Sequence, residues 1–146
     1  MIKNGIIFFL VTILILACHQ QKEQKIKLAN DEAVFSVRML PEKGSDGAGG
    51  YAYYIVRIEK AGFKPDQKTN QYLDYGLGKD FKLVRKNDTI YPAIYQRINS
   101  GIADRFEFML AFEKEQINYG VEEQSLVYED KVFGMFRQTY RFNKGS

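Results

Sequence analysis

Two neighbouring residues are the natural candidates for nucleophilic or metal chemistry in this chain. They are Cys18, the only cysteine, and His19, the only histidine. Both precede the stretch that reads as a folded domain. A Ser-His-Asp triad, a Cys-His pair or a histidine zinc site within residues 31–146 is therefore excluded. Carboxylate chemistry or a Ser-Lys pair would remain. Glu122 and Glu123 are adjacent, so on a strand they point to opposite faces and cannot act together. Glu113 and Glu115 can share a face, which reads as a solvated charged surface. A glycosidase-type pair of distant carboxylates has no spacing to support it. Asp74, Asp80 and Asp88 lack the regular spacing of a calcium loop. Residues 44–50 (GSDGAGG) lack a Gly-Lys-Ser/Thr ending and run toward a strand, not a helix, so they are not a phosphate cradle. The expectation is a chain with no catalytic residues, no metal and no cofactor.

The chemistry left to Cys18 follows from what precedes it. Lys3 is positive, and residues 6–17 (IIFFLVTILILA) are apolar apart from Thr12. That run is shorter than the roughly 20 residues a membrane span needs. It is also apolar on every side, unlike the one-sided stripe of a core helix. A short apolar core behind a positive start, closed by small Ala17, is the pattern of a secretory signal. A lone exported cysteine has no intramolecular disulfide partner. The ending Ile15-Leu16-Ala17-Cys18 resembles the lipobox of bacterial lipoproteins. That resemblance, which covers residues 1–18 only, implies cleavage between Ala17 and Cys18. It also implies a diacylglycerol on the Cys18 thiol and a further acyl chain, such as palmitate, on its amino group. Leu16 departs from the smaller residue usual there. By resemblance to enterobacterial sorting rules, His19 rather than Asp after the cysteine points to the outer membrane. The lack of an acidic cluster there points to its periplasmic side.

Residues 1–17 are thus expected to be a signal peptide and 18–30 a lipidated cysteine with a flexible tether (HQQKEQKIKLAN after Cys18). Residues 31–146 are expected to form one domain, a length that suits a single core. The formal charge of +3 over 146 residues, with no basic block, argues against nucleic acid as a partner. Tyr and Phe are abundant and Trp is absent, a composition that suits half-buried strands.

The domain reads mostly as strands. Ala33, Phe35, Val37 and Met39 alternate before Pro41. After the glycine-rich loop, Tyr54, Val56 and Ile58 share one face of residues 51–60, and Tyr53, Ile55 and Arg57 the other. Residues 61–70 read as a connection and 71–77 as a short or edge strand. Residues 81–84 and 89–95 read as a hairpin, with Pro92 limiting the return strand to an edge or bulge. Phe106, Phe108, Leu110 and Phe112 alternate with Glu107, Met109, Ala111 and Glu113. Residues 113–119 suggest a helical turn. A short strand at 126–129 follows. The last strand, 133–142, is expected to set Phe136, Tyr140 and Phe142 against Arg137, Thr139 and Arg141. About seven short strands predict an antiparallel β-sandwich, with a small β-barrel as the alternative. The rhythm of FKLV, TIYP, residues 106–112 and LVYED loosely resembles immunoglobulin-like (telokin-like) domains of bacterial lipoproteins, without the cysteine pair or the tryptophan of antibody domains.

These features predict an envelope lipoprotein held to the membrane by lipid and working as a non-enzymatic binding or assembly module. A carboxylate-based envelope hydrolase and a carrier of small apolar ligands are the alternatives. The expected contact face for another envelope protein is Tyr53, Ile55 and Arg57, with Tyr53 and Ile55 half exposed.

Overall fold

The computed structural model describes residues 33–40, 50–86, 88–117 and 124–142, and the backbone of 24–27. Residues 1–17, Cys18, His19, most of the glycine-rich loop and the Glu122-Glu123 pair lie outside the described residues.

Alternating apolar residues build two antiparallel sheets. The first has the order β1 (Gln24–Lys27), β2 (Ala33–Met39), β3 (Tyr51–Lys60), β7 (Arg105–Glu113), β6 (Ile94–Ile98). The second has the order β5 (Asp88–Ile90), β4 (Phe81–Arg85), β8 (Gln124–Glu129), β9 (Arg137–Arg141). Both sheets are open, so the chain is a β-sandwich and not a barrel. The inner face of β7 buries Phe106, Phe108, Leu110 and Phe112, as the alternation requires. Opposite it lie Phe81, Leu83, Leu126 and Tyr128, each fully buried. Ring contacts tie the layers together: Phe81 meets Phe108 at 6.2 Å and Phe35 stacks on Tyr128 at 6.0 Å.

Several expectations need correction. Residues 24–27, expected to belong to a flexible tether, instead form β1, which pairs with β2. Residues 67–75 are neither a connection nor a strand but a helix, α1 (Gln67–Tyr75), followed by a 3-10 turn at Leu77–Asp80. The return of the β4 hairpin stops at Ile90. Pro92 then marks the crossing to the other sheet, where β6 pairs with β7. The predicted turn after β7 is a 3-10 turn at Lys114–Gln116. The last strand is only Arg137–Arg141. Phe136 stands outside it at φ 63° and is 85% exposed, so it does not share a core face with Tyr140.

Candidate ligand-binding groove

The sequence sets α1 through its ends. The Asp66 carboxylate accepts the Thr69 N–H at 2.7 Å, capping the first turn. Hydrogen bonding from Thr69, first from its side chain and then from this N–H, holds the Asp66 pKa below its ordinary value. Gly76 closes the helix, and its N–H donates to the Tyr72 carbonyl at 2.7 Å. A side chain at 76 would collide with the Tyr72 ring, since a Cβ there would lie 2.5 Å from it. Glycine thus lets the Tyr72 ring lie flat against the chain. Gly78 does the same for β6, where an added Cβ would lie 2.8 Å from Tyr95. Leu73 and Leu77 anchor this segment in the core. The Tyr95 hydroxyl donates to the Leu73 carbonyl.

At the end of the 3-10 turn sits Asp80, a buried carboxylate with two partners. Lys131 Nζ donates to its Oδ1 at 2.5 Å, and the Tyr72 hydroxyl donates to its Oδ2. The Lys131 side chain is 60% exposed while that of Asp80 is 1% exposed. The buried acid therefore fixes a cation at the surface. The hydrogen bond to Asp80 raises the Lys131 pKa. Behind Lys131, Asp130 organises the loop to β9. Its Oδ1 accepts the N–H of Val132 and of Phe133, each at 2.8 Å, and the Tyr128 hydroxyl at 2.8 Å. Its Oδ2 accepts the Met135 N–H at 2.5 Å.

These elements wall an open groove of about 820 Å³. Lys68, Lys79 and Lys131 line it with Tyr72, Tyr75 and Phe63, and no carboxylate belongs to its lining. Lys79 Nζ lies 5.4 Å from the centre of the Tyr72 ring. A second cleft of about 660 Å³ lies on the other side of α1. There Arg97 donates to Asp74 at 3.0 Å and Asn70 at 3.1 Å and lies over the Phe106 ring. This cleft, unlike the groove, carries charges of both signs, Asp74 and Asp104 among them.

Burial raises the hydroxyl pKa of Tyr72, Tyr95 and Tyr128, reinforced at Tyr72 by Asp80 and at Tyr128 by Asp130. The folded chain holds these protons more tightly than the unfolded chain does. Their contribution is complete below the unfolded tyrosine value of about 10 and is lost as pH rises above it. The melting temperature is therefore expected to fall steeply on raising the pH past about 10. Tyr128→Phe should flatten that slope, measured as melting temperature against pH for both proteins.

The predicted contact face looks different in three dimensions. Tyr53 is half-buried, with its ring 6.3 Å from that of Tyr51. Ile55, expected half exposed, is buried at 7% exposure, flanked in register by Arg38 and Met109. The Arg57 Nε donates to Glu107 at 2.6 Å. The strip therefore offers less apolar surface than the alternation suggested. Ala17 and Cys18 lie outside the described residues. Among the described residues, no three His, Cys, Asp or Glu side chains are grouped to hold a metal ion. No described helix is long and apolar enough to cross a membrane. The groove went unread in the sequence because α1 buries one residue along its length, Leu73, and so shows no apolar stripe. The signal that could have found it is local: Pro65-Asp66 at the start and Gly76 at the stop.

No family model matches this chain, and no curated protein or solved structure is significantly similar to it.

Proposed function

We propose that this chain is a lipid-anchored lipoprotein of the bacterial envelope, and that its β-sandwich is a binding or assembly module without catalytic activity. The observation that carries the anchor is the Ile15-Leu16-Ala17-Cys18 ending of an apolar leader, closed by the chain's only cysteine. The thiolate accepts the lipid, which no other residue of this chain can do. Two or three acyl chains hold a protein on a bilayer stably, at about 0.8 kcal/mol per buried CH₂.

The binding role is supported by how the acids at the two clefts are used. Asp80 and Asp130 are committed to holding the groove wall, and Asp74 is paired with Arg97. What the groove presents to solvent is cationic and aromatic, which suits recognition more than proton transfer. The outer membrane, facing the periplasm, is the location that the residue after Cys18 favours. A partner protein of the envelope would be met there by a tethered domain at high effective concentration.

Cys18→Ser is expected to abolish incorporation of a fatty-acid probe and to stop processing after Ala17. Labelling that persists in the variant would overturn the anchor. Capture from detergent-solubilised membranes of the native host tests the module. A partner recovered in fixed proportion supports it, and hydrolysis of an envelope polymer by the purified protein would overturn it.

A further inference from the structure

Three observations converge at the end of the sandwich that carries α1. The groove there presents Lys68, Lys79 and Lys131 with no acid in its lining. Lys131 is preset by the buried Asp80, so its charge is held in place before any ligand arrives. The two most exposed large aromatic residues of the described structure also stand here. Tyr75, 84% exposed, lines the groove, and Phe136, 85% exposed, closes the loop that supplies Lys131 and Val132. The Asp130 N–H donates to the Phe136 carbonyl at 3.0 Å, which holds the loop shut. Phe136 adopts φ 63°, a conformation unusual for a bulky residue. The chain thus holds a whole phenyl ring out in water at some conformational cost. Outward aromatic rings among lysines are the composition of surfaces that settle at a lipid headgroup layer.

We propose that this end of the domain docks on an anionic bilayer, with the Tyr75 and Phe136 rings at headgroup level and Lys68, Lys79 and Lys131 against lipid phosphates. This rests on the lipid-anchored reading. The step from Cys18 to Gln24 spans at most about 20 Å fully extended, and Gln24 pairs with Val37 at mid-sheet, with Lys27 nearer the α1 end, so the anchor keeps the domain at its membrane while the lysines and rings select the end that docks. A soluble acidic ligand would use the same charges and Tyr75 in the groove wall, but would leave the Phe136 ring, which is outside the lining, in water.

The test uses the lipidated full-length product reconstituted in vesicles. The chain has no tryptophan, so Tyr75→Trp and Phe136→Trp each add a single reporter. Thr89→Trp is the control. It lies on β5 beside the Arg85–Asp88 end of the sheet, whereas the groove lies at the Phe81–Tyr128 end. Emission and quenching by bromine-labelled lipids are read in phosphatidylglycerol-containing vesicles and in phosphatidylcholine alone. The expected result is a blue shift and quenching for Tyr75→Trp and Phe136→Trp in the anionic vesicles only, none for Thr89→Trp, and reversal by salt. Adding Lys68→Gln and Lys79→Gln together should weaken docking roughly thirtyfold, about fivefold for each lysine lost near a charged surface.

Quenching at 75 and 136 no greater than at 89, or equal in both lipids, overturns the proposal. In that case, a shift produced by a soluble acidic oligosaccharide such as trigalacturonate would assign the groove to a glycan. The mass of the mature N-terminus is read first. An unmodified Cys18 counts against the anchor, and the quenching comparison alone decides the docking.

Discussion

Phe108→Ala is expected to lower the free energy of unfolding by about 3–5 kcal/mol, the usual cost of truncating a buried phenylalanine. Glu107→Ala on the same strand should cost less, about 1–2 kcal/mol, since its part-buried pair with Arg57 lies between the exposed and the buried case. Phe108 is fully buried at the centre of β7. Its ring stacks on Tyr95 at 5.9 Å and meets Phe81 at 6.2 Å. It therefore touches the β6 edge and the opposite sheet together. No neighbouring side chain can fill the space of a lost ring without breaking one of those contacts, so the cavity persists. Glu107 faces outward and pairs with Arg57. Its loss does not strand that cation, which makes a further interaction. Denaturant titration of both variants checks the contrast. Similar losses would mean that β7 is packed the other way round.

Asp130→Ala is expected to cost about 3 kcal/mol, because four hydrogen bonds to one carboxylate vanish and such charge-assisted bonds contribute about 1.5–3 kcal/mol each without adding fully. Three of the donors are backbone N–H groups of the loop from β8 to β9, and the fourth is the buried Tyr128 hydroxyl. Phe133 and Met135 reach the core from this loop, exposed at 1% and 2%. The carboxylate thus converts a loop without regular structure into a fixed wall for the groove. Asp130→Asn should lose less, since an amide oxygen still accepts. Denaturation should rank the native protein above Asn and Asn above Ala. A loss for Asp130→Ala no larger than for the exposed Asp88→Ala would show that Phe133 and Met135 alone hold the loop.

The amino-acid sequence by itself determined the class of fold. Alternation is a local property of a pleated strand, so Phe106 to Phe112 and Tyr54 to Ile58 disclosed their inward faces without knowledge of their partners. The proposed leader and the proposed anchor at Cys18 rest on equally local features, since secretion and lipidation machinery reads linear sequence. Tertiary structure decided the rest. Which sheet β6 joins depends on pairing with β7, beyond the break at Pro92. The burial of Ile55 and the pairing of Arg57 depend on neighbours brought in by register from β2 and β7. Phe136 looked like a strand residue because its spacing from Tyr140 has the right period. The backbone instead turns through φ 63° to close the Asp130 loop. The groove is the clearest case. Asp80 and Lys131 lie 51 positions apart in the chain, and no local pattern joins them. They meet because β4 pairs with β8, which sets the end of the 3-10 turn beside the loop that follows β8. A buried carboxylate needs a partner of opposite charge, and only the completed sheet puts one within reach.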